Sequence, residues 1–179
     1  MKKLDMLDIH KSKIVINQAD TRLIKFPKYN SASLRDVYDF SINGKTLREL
    51  IHTNDNAAPD LSTGLQSAFV IKERKMYINR LLGKTQADLA SGRVALLVCP
   101  IDGDLECGAV GCRIKFNNIA KTVTWYDFAW DGNNDTGTDD DDEDAKVKGL
   151  GSFTFDEQQY CELMLQTIDD LSANAAIKP

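Results

Sequence analysis

Four cysteines, two histidines and one run of carboxylates are the residues of this chain whose chemistry goes beyond packing. Zinc wants four ligands, usually delivered as short-spaced pairs. Here Cys99 and Cys107 stand eight apart, Cys107 and Cys112 five apart, and Cys161 lies far downstream; no C-x-x-C occurs. That spacing favours buried thiols over a metal site, and no metal ligand or cofactor is assigned. A nucleophilic thiol needs a base beside it. The candidates are His10, in a polar stretch, and His52, at the end of a short helix, and no pattern pairs either with a cysteine. The reading is therefore a protein that is not an enzyme. The alternatives are a small enzyme using a thiol or a metal near Cys99, Cys107 and Cys112, and a housekeeping protein-binding module.

The carboxylates are concentrated. Between Asp131 and Asp144 stand eight acids and no base; the rest of the chain has 19 acids against 22 bases, so a net charge of −5 becomes +3 outside that segment. Concentrated negative charge repels nucleic-acid phosphates and attracts a basic partner. Counted from Asp131, the donors Asn133, Asp135 and Asp139 follow a calcium loop's spacing, but Thr136 and Asp142 occupy the positions where an EF-hand needs glycine and a bidentate glutamate. A solvated excursion that merely aids solubility is the plain alternative. Phosphate-binding loops are absent, since the chain has neither G-x-x-x-x-G-K nor G-x-G-x-x-G.

The elements that must position these residues are partly legible. Lys13–Ile16 and Leu23–Phe26 read as short strands, and 36–42 as a better one, closed by Asn43-Gly44. Thr46 and Glu49 have capping-box spacing and open a short helix. The stretch 53–60 reads as loop, and Leu65 to Leu82 as a helix closed by Gly83. Residues 93–99 form a continuous apolar run, as in a strand buried on both faces. With 109–116 and 122–130 it makes an antiparallel meander, because its connections are too short for parallel crossovers. Strict alternation in the third strand puts Val123, Trp125, Asp127 and Ala129 on one face. A last helix is capped by Asp156 and carries Tyr160, Leu163, Met164, Ile168 and Leu171 at helical spacing.

At 179 residues, 42% apolar and 27% charged, the chain suits one globular α+β domain, 1–179, with residues 131–149 as an acidic loop insertion. The expected architecture is a mainly antiparallel sheet of about five or six strands, with a packed C-terminal helix and further helices. Asp5 and Asp8 interrupt any apolar run at the N-terminus, and no later stretch reaches membrane-spanning length. The expectation is a cytoplasmic protein with reduced cysteines.

The run Cys99-Pro100-Ile101-Asp102-Gly103-Asp104-Leu105-Glu106-Cys107-Gly108, then Val123-Thr124-Trp125-Tyr126-Asp127-Phe128, then Gly151-Ser152-Phe153-Thr154-Phe155-Asp156, resembles a family of small bacterial proteins. Its marks are a C-P-x-x-G-D-x-x-C-G strand-turn and a W-x-D-F strand. Tyr38 to Leu47 resembles that family's opening segment. Such proteins sometimes carry an oxidoreductase label, for which this chain holds no cofactor motif. In size and acidic insertion the chain is also similar to immunity proteins of contact-dependent growth inhibition systems, which neutralise the toxic C-terminal domain of a large exported protein, often a nuclease. That resemblance implies a cognate toxin domain with a basic surface as partner, and neither nucleic acid nor membrane. The expected partner-binding residues are Trp130, Asp131, Asp135, Asp139, Asp140, Asp141, Asp142, Glu143 and Asp144.

Overall fold

A computed structural model describes residues 3–16, 33–54, 61–66, 69–100, 103–105, 108–131 and 145–176. Two long strands, β1 (Leu7–Ile16) and β2 (Ser33–Ile42), pair antiparallel from Leu7 opposite Ile42 to Ile16 opposite Ser33. The strand expected at Lys13–Ile16 thus starts six residues earlier. Its first part, Leu-Asp-Ile-His-Lys-Ser, is too polar to announce itself, and pairing along β2 supplies what propensity does not. The segment Leu23–Phe26 and most of the expected 53–60 loop lie outside the described residues. Asn43 and Gly44, both left-handed at φ 54° and 81°, make the turn into β3 (Lys45–Thr46).

Helix α1 (Leu47–Asn54) opens with the expected capping box. Thr46 Oγ1 accepts from the Glu49 amide at 3.1 Å, and the Glu49 carboxylate accepts from the Thr46 amide at 2.8 Å. The bonds donated to the Glu49 carboxylate by the Thr46 amide and then by its hydroxyl hold that carboxyl below its ordinary range.

The helix expected over Leu65 to Leu82 begins later, as α2 (Ile71–Leu81). Val70 is still extended, at φ −66° and ψ 150°. Ahead of it, β4 (Ser62–Thr63) and a buried turn occupy the chain, with Gln66 donating to Ser62 Oγ at 2.9 Å. The polar residues Ser62, Thr63 and Gln66 are all buried. Local side-chain bonds and sheet pairing satisfy them there, in competition with a helix. Gly83 ends α2 at φ 65°, with Gly83 N bonded to Arg80 O and Lys84 N to Asn79 O, both at 2.9 Å.

The second sheet runs β4-β5-β6-β7-β8, all antiparallel, with β5 (Val94–Val98), β6 (Ala109–Asn117), β7 (Thr122–Asp131) and β8 (Phe153–Asp156). Every residue of β5 is buried, as its apolar run requires. In the pairing of β6 with β7 the register slips between Gly111 and Arg113, so Asp127 and Phe128 together face Cys112. Asp127 takes a left-handed φ of 56° in this bulge. The face predicted by strict alternation is therefore corrected from the bulge onward: Phe128 and Trp130 take the core side with Val123 and Trp125, and Asp127 and Ala129 leave it.

Asp156 caps α3 (Glu157–Ala176) by accepting from the Gln159 amide at 3.0 Å. Tyr160, Met164 and Leu171 enter the core, while Leu163 and Ile168 are half-buried. Trp125 is the hub. The rings of Phe40, Phe155 and Tyr160 meet it edge-on with centroids 5.4, 5.4 and 6.1 Å away. Since Phe40 comes from the first sheet and Trp125 from the second, both sheets share one core. The first sheet's chain also covers both edges of the second. Thr63 Oγ1 in β4 donates to Tyr38 O of β2, and Asp5 pairs with Thr154 of β8 through its amide and its carboxylate, each at 2.8 Å. The architecture is α+β and mainly antiparallel in one domain, with three helices among the described residues.

Candidate functional site

In sequence the acidic segment follows the end of β7 and precedes Ala145. Its two ends are pinned together: Trp130 N donates to Ala145 O at 2.7 Å, and Val147 N to Phe128 O at 3.0 Å. Ala129 and Lys146 form an antiparallel bridge beside them. Trp130 is half-buried and packs against the core, so it belongs to the root of the segment.

Beneath this root lies a cluster of opposite charges. Arg93, only 5% exposed, donates through Nε to the Asp127 carbonyl at 3.0 Å and through Nη2 to its carboxylate at 2.8 Å. Arg113 Nε donates to the same carboxylate at 3.1 Å. The bulge makes this possible, because left-handed Asp127 turns its side chain off the core face. Asp131, the first acid of the segment, accepts from Ser91 Oγ at 2.9 Å and stands 3.6 Å from Arg93 Nη1. Two guanidiniums thus face two carboxylates, and the Asp131 charge is compensated within the fold. Asp135, Asp139, Asp140, Asp141, Asp142, Glu143 and Asp144 lie outside the described residues.

This cluster was not foreseen from the sequence, although a signal for it exists. Arg93 opens one apolar strand and Asp127 interrupts another. Charges of opposite sign within buried strands have to find each other.

Among the described residues the cysteines form no ligand cluster. Cys99 and Cys112 are buried, Cys161 is half-buried on α3, and Cys107 lies outside the described residues. Burial pushes the Cys112 thiol well up, with Asp127 adding to the effect and Arg93 opposing it. The Cys161 thiol is also raised, by burial and then by Glu157. A raised pKa favours the protonated, less reactive thiol. Among the described residues, no three His, Cys, Asp or Glu side chains gather as metal ligands. His10 on β1 stands in register with Asp39, whose buried carboxylate accepts from Ser12 and Arg48. His52 belongs to α1, and its side chain lies outside the described residues. No described helix is long and apolar enough to cross a membrane.

Compared with known proteins, the chain matches no family model, no curated protein and no solved structure.

Proposed function

We propose that this protein works by stoichiometric binding, as an immunity protein that neutralises the basic toxin domain of an exported protein. The observation that carries the reading is the placement of charge. Seven carboxylates from Asp135 to Asp144 stand in one stretch of sequence, whose flanks are pinned together at Trp130 and Ala145, while the rest of the chain has the opposite net sign. A nuclease has to attract phosphate and so presents a basic surface. Clustered carboxylates steer such a surface into encounter and raise the association rate. Asp131 is spent on Ser91 and Arg93, so it anchors the segment, and the steering falls to the acids beyond it. The raised Cys112 and Cys161 thiols speak against these two as nucleophiles.

The test is association with the C-terminal domain of a large exported protein encoded beside this chain. Replacing Asp139, Asp140, Asp141 and Asp142 by asparagine should slow association about tenfold or more at low salt and flatten its salt dependence. Unchanged kinetics, or failure of the intact chain to protect cells from that domain, would reject the reading.

A further inference from the structure

A cavity of about 250 Å3 opens between α2, the end of β5 and the turn at 103–105. Glu73, Tyr77 and Arg80 line one wall along one face of α2, at spacings of four and three residues; Phe69, from the non-helical segment ahead of α2, and Asp88, from the turn after it, complete the lining. Gly103, at φ 74°, lets its turn close over Phe69; a Cβ there would stand 2.5 Å from the ring.

Most polar groups of this cavity are committed. The Tyr77 hydroxyl donates to Leu96 O at 2.8 Å. Asp88 accepts from the Ala95 amide at 3.0 Å and pairs with Arg80 at 3.4 Å. Glu73 is exposed and has no hydrogen bond or ion pair among the described residues. With Asp88 and Arg80 offsetting each other, Glu73 leaves the cavity with a charge of −1. Cofactors and drug-sized ligands occupy roughly 300–1,000 Å3, so this volume suits a single long side chain. A flat aromatic wall beside an unpaired carboxylate suits a planar cation, which stacks on the ring and offers paired donors to the acid.

The cavity and the acidic segment share a structural element. Asp88 begins the tight turn whose Ser91 and Arg93 hold Asp131 at the segment's root, and within that turn Gly92 N bonds to Leu89 O at 2.9 Å.

We infer that this cavity receives an arginine side chain of the partner, held by Glu73 and the Phe69 ring, as the anchor that follows electrostatic steering. This inference rests on the proposal that the partner is basic. Its test needs no partner. Butylguanidinium, butylammonium and butanol are titrated into the whole protein, and backbone amide shifts are followed by NMR. The expected result is saturable shifts confined to Phe69, Glu73, Tyr77 and Asp88, strongest for butylguanidinium and absent for butanol. Glu73→Gln should weaken that binding about tenfold, as loss of one charge-assisted pair does, while the remaining spectrum reports an intact fold. Shifts absent from those four residues, equal response to butanol, or unchanged affinity in E73Q would overturn the inference. The steering role is read from association rates alone, so either idea can fail while the other stands.

Discussion

Arg93 and Asp127 are joined by three hydrogen bonds: Nε to the Asp127 carbonyl at 3.0 Å, Nε to its carboxylate at 3.1 Å, and Nη2 to the carboxylate at 2.8 Å. Arg93 leads into β5 and Asp127 is the bulged residue of β7, with β6 between them. The pair thus ties a backbone irregularity to a strand two places away. It also sets the phase of β7 beyond the bulge, which puts Phe128 in the core and Trp130 at the root of the acidic segment.

Removing one member of such a pair leaves the other charge poorly compensated. Arg93→Ala should cost about 2–4 kcal/mol of unfolding free energy, toward the lower end because Asp127 is partly exposed. Asp127→Asn should cost less than Asp127→Ala, since asparagine tolerates the left-handed φ and keeps an acceptor. Urea denaturation ranks the three. Equal losses for Asn and Ala would mean that neither the φ nor the acceptor matters.

Tyr160 joins three elements through one hydroxyl, which donates to Leu81 O of α2 at 2.9 Å and accepts from Trp125 Nε1 of β7 at 3.2 Å. Tyr160→Phe should cost about 1–3 kcal/mol, because it leaves a buried donor and a buried acceptor unpaired. The indole loses its partner, so near-ultraviolet dichroism of Trp125 should change with the stability.

The same burial gives an alkaline limit. Tyr77 and Tyr160 are pushed well above the ordinary phenol range, chiefly by desolvation. The folded state holds both neutral, whereas an unfolded chain ionises them near pH 10. Their contribution is complete below about pH 10 and is lost as pH rises beyond it. Phenolate absorbance should show Tyr77 and Tyr160 titrating only with unfolding. Smooth titration of all five tyrosines in the folded protein would contradict this.

What was legible in the sequence is what a local pattern encodes. The cap at Asp156, the box at Thr46 and Glu49, the Asn43-Gly44 turn and the apolar run of β5 each depend on neighbours a few residues away. What was not legible depends on distant partners. The polar start of β1 is a strand because β2 lies beside it. Ser62 and Thr63 are strand because β5 accepts them. Asp127 leaves its expected face because Arg93 and Arg113 wait on the other side. The candidate site divides in the same way: the charge run is local and readable, whereas its anchor at Ser91 and Arg93 is tertiary.

The thiols provide a test of the non-enzymatic reading. Cys112 is buried, and its pKa is raised by desolvation. Cys161 is half-buried on α3 and only moderately raised. With iodoacetamide at mildly alkaline pH, Cys161 should be modified well before Cys99 or Cys112, since thiolate fraction and access together set the rate. Peptide mapping by mass spectrometry resolves the order. Rapid modification of Cys112 in the folded protein would instead mark an activated nucleophile and revive the enzyme alternative.

Gly64 isolates a purely steric requirement. Its φ is not positive, yet a Cβ there would stand 2.6 Å from the Tyr77 ring. That ring cannot move aside, because its hydroxyl is bonded to Leu96 O and its face is stacked near Phe40. Gly64→Ala should therefore cost about 1–3 kcal/mol, as overpacking does. Gly151→Ala, where the new methyl meets nothing within 4 Å, should stay within about 0.5 kcal/mol. If the clash with the ring is the cause, the two substitutions Gly64→Ala and Tyr77→Leu will not add. The double variant should recover about 1 kcal/mol or more relative to the sum of the singles. Strict additivity in urea denaturation would place the cost of Gly64→Ala in the backbone and not in its contact with Tyr77.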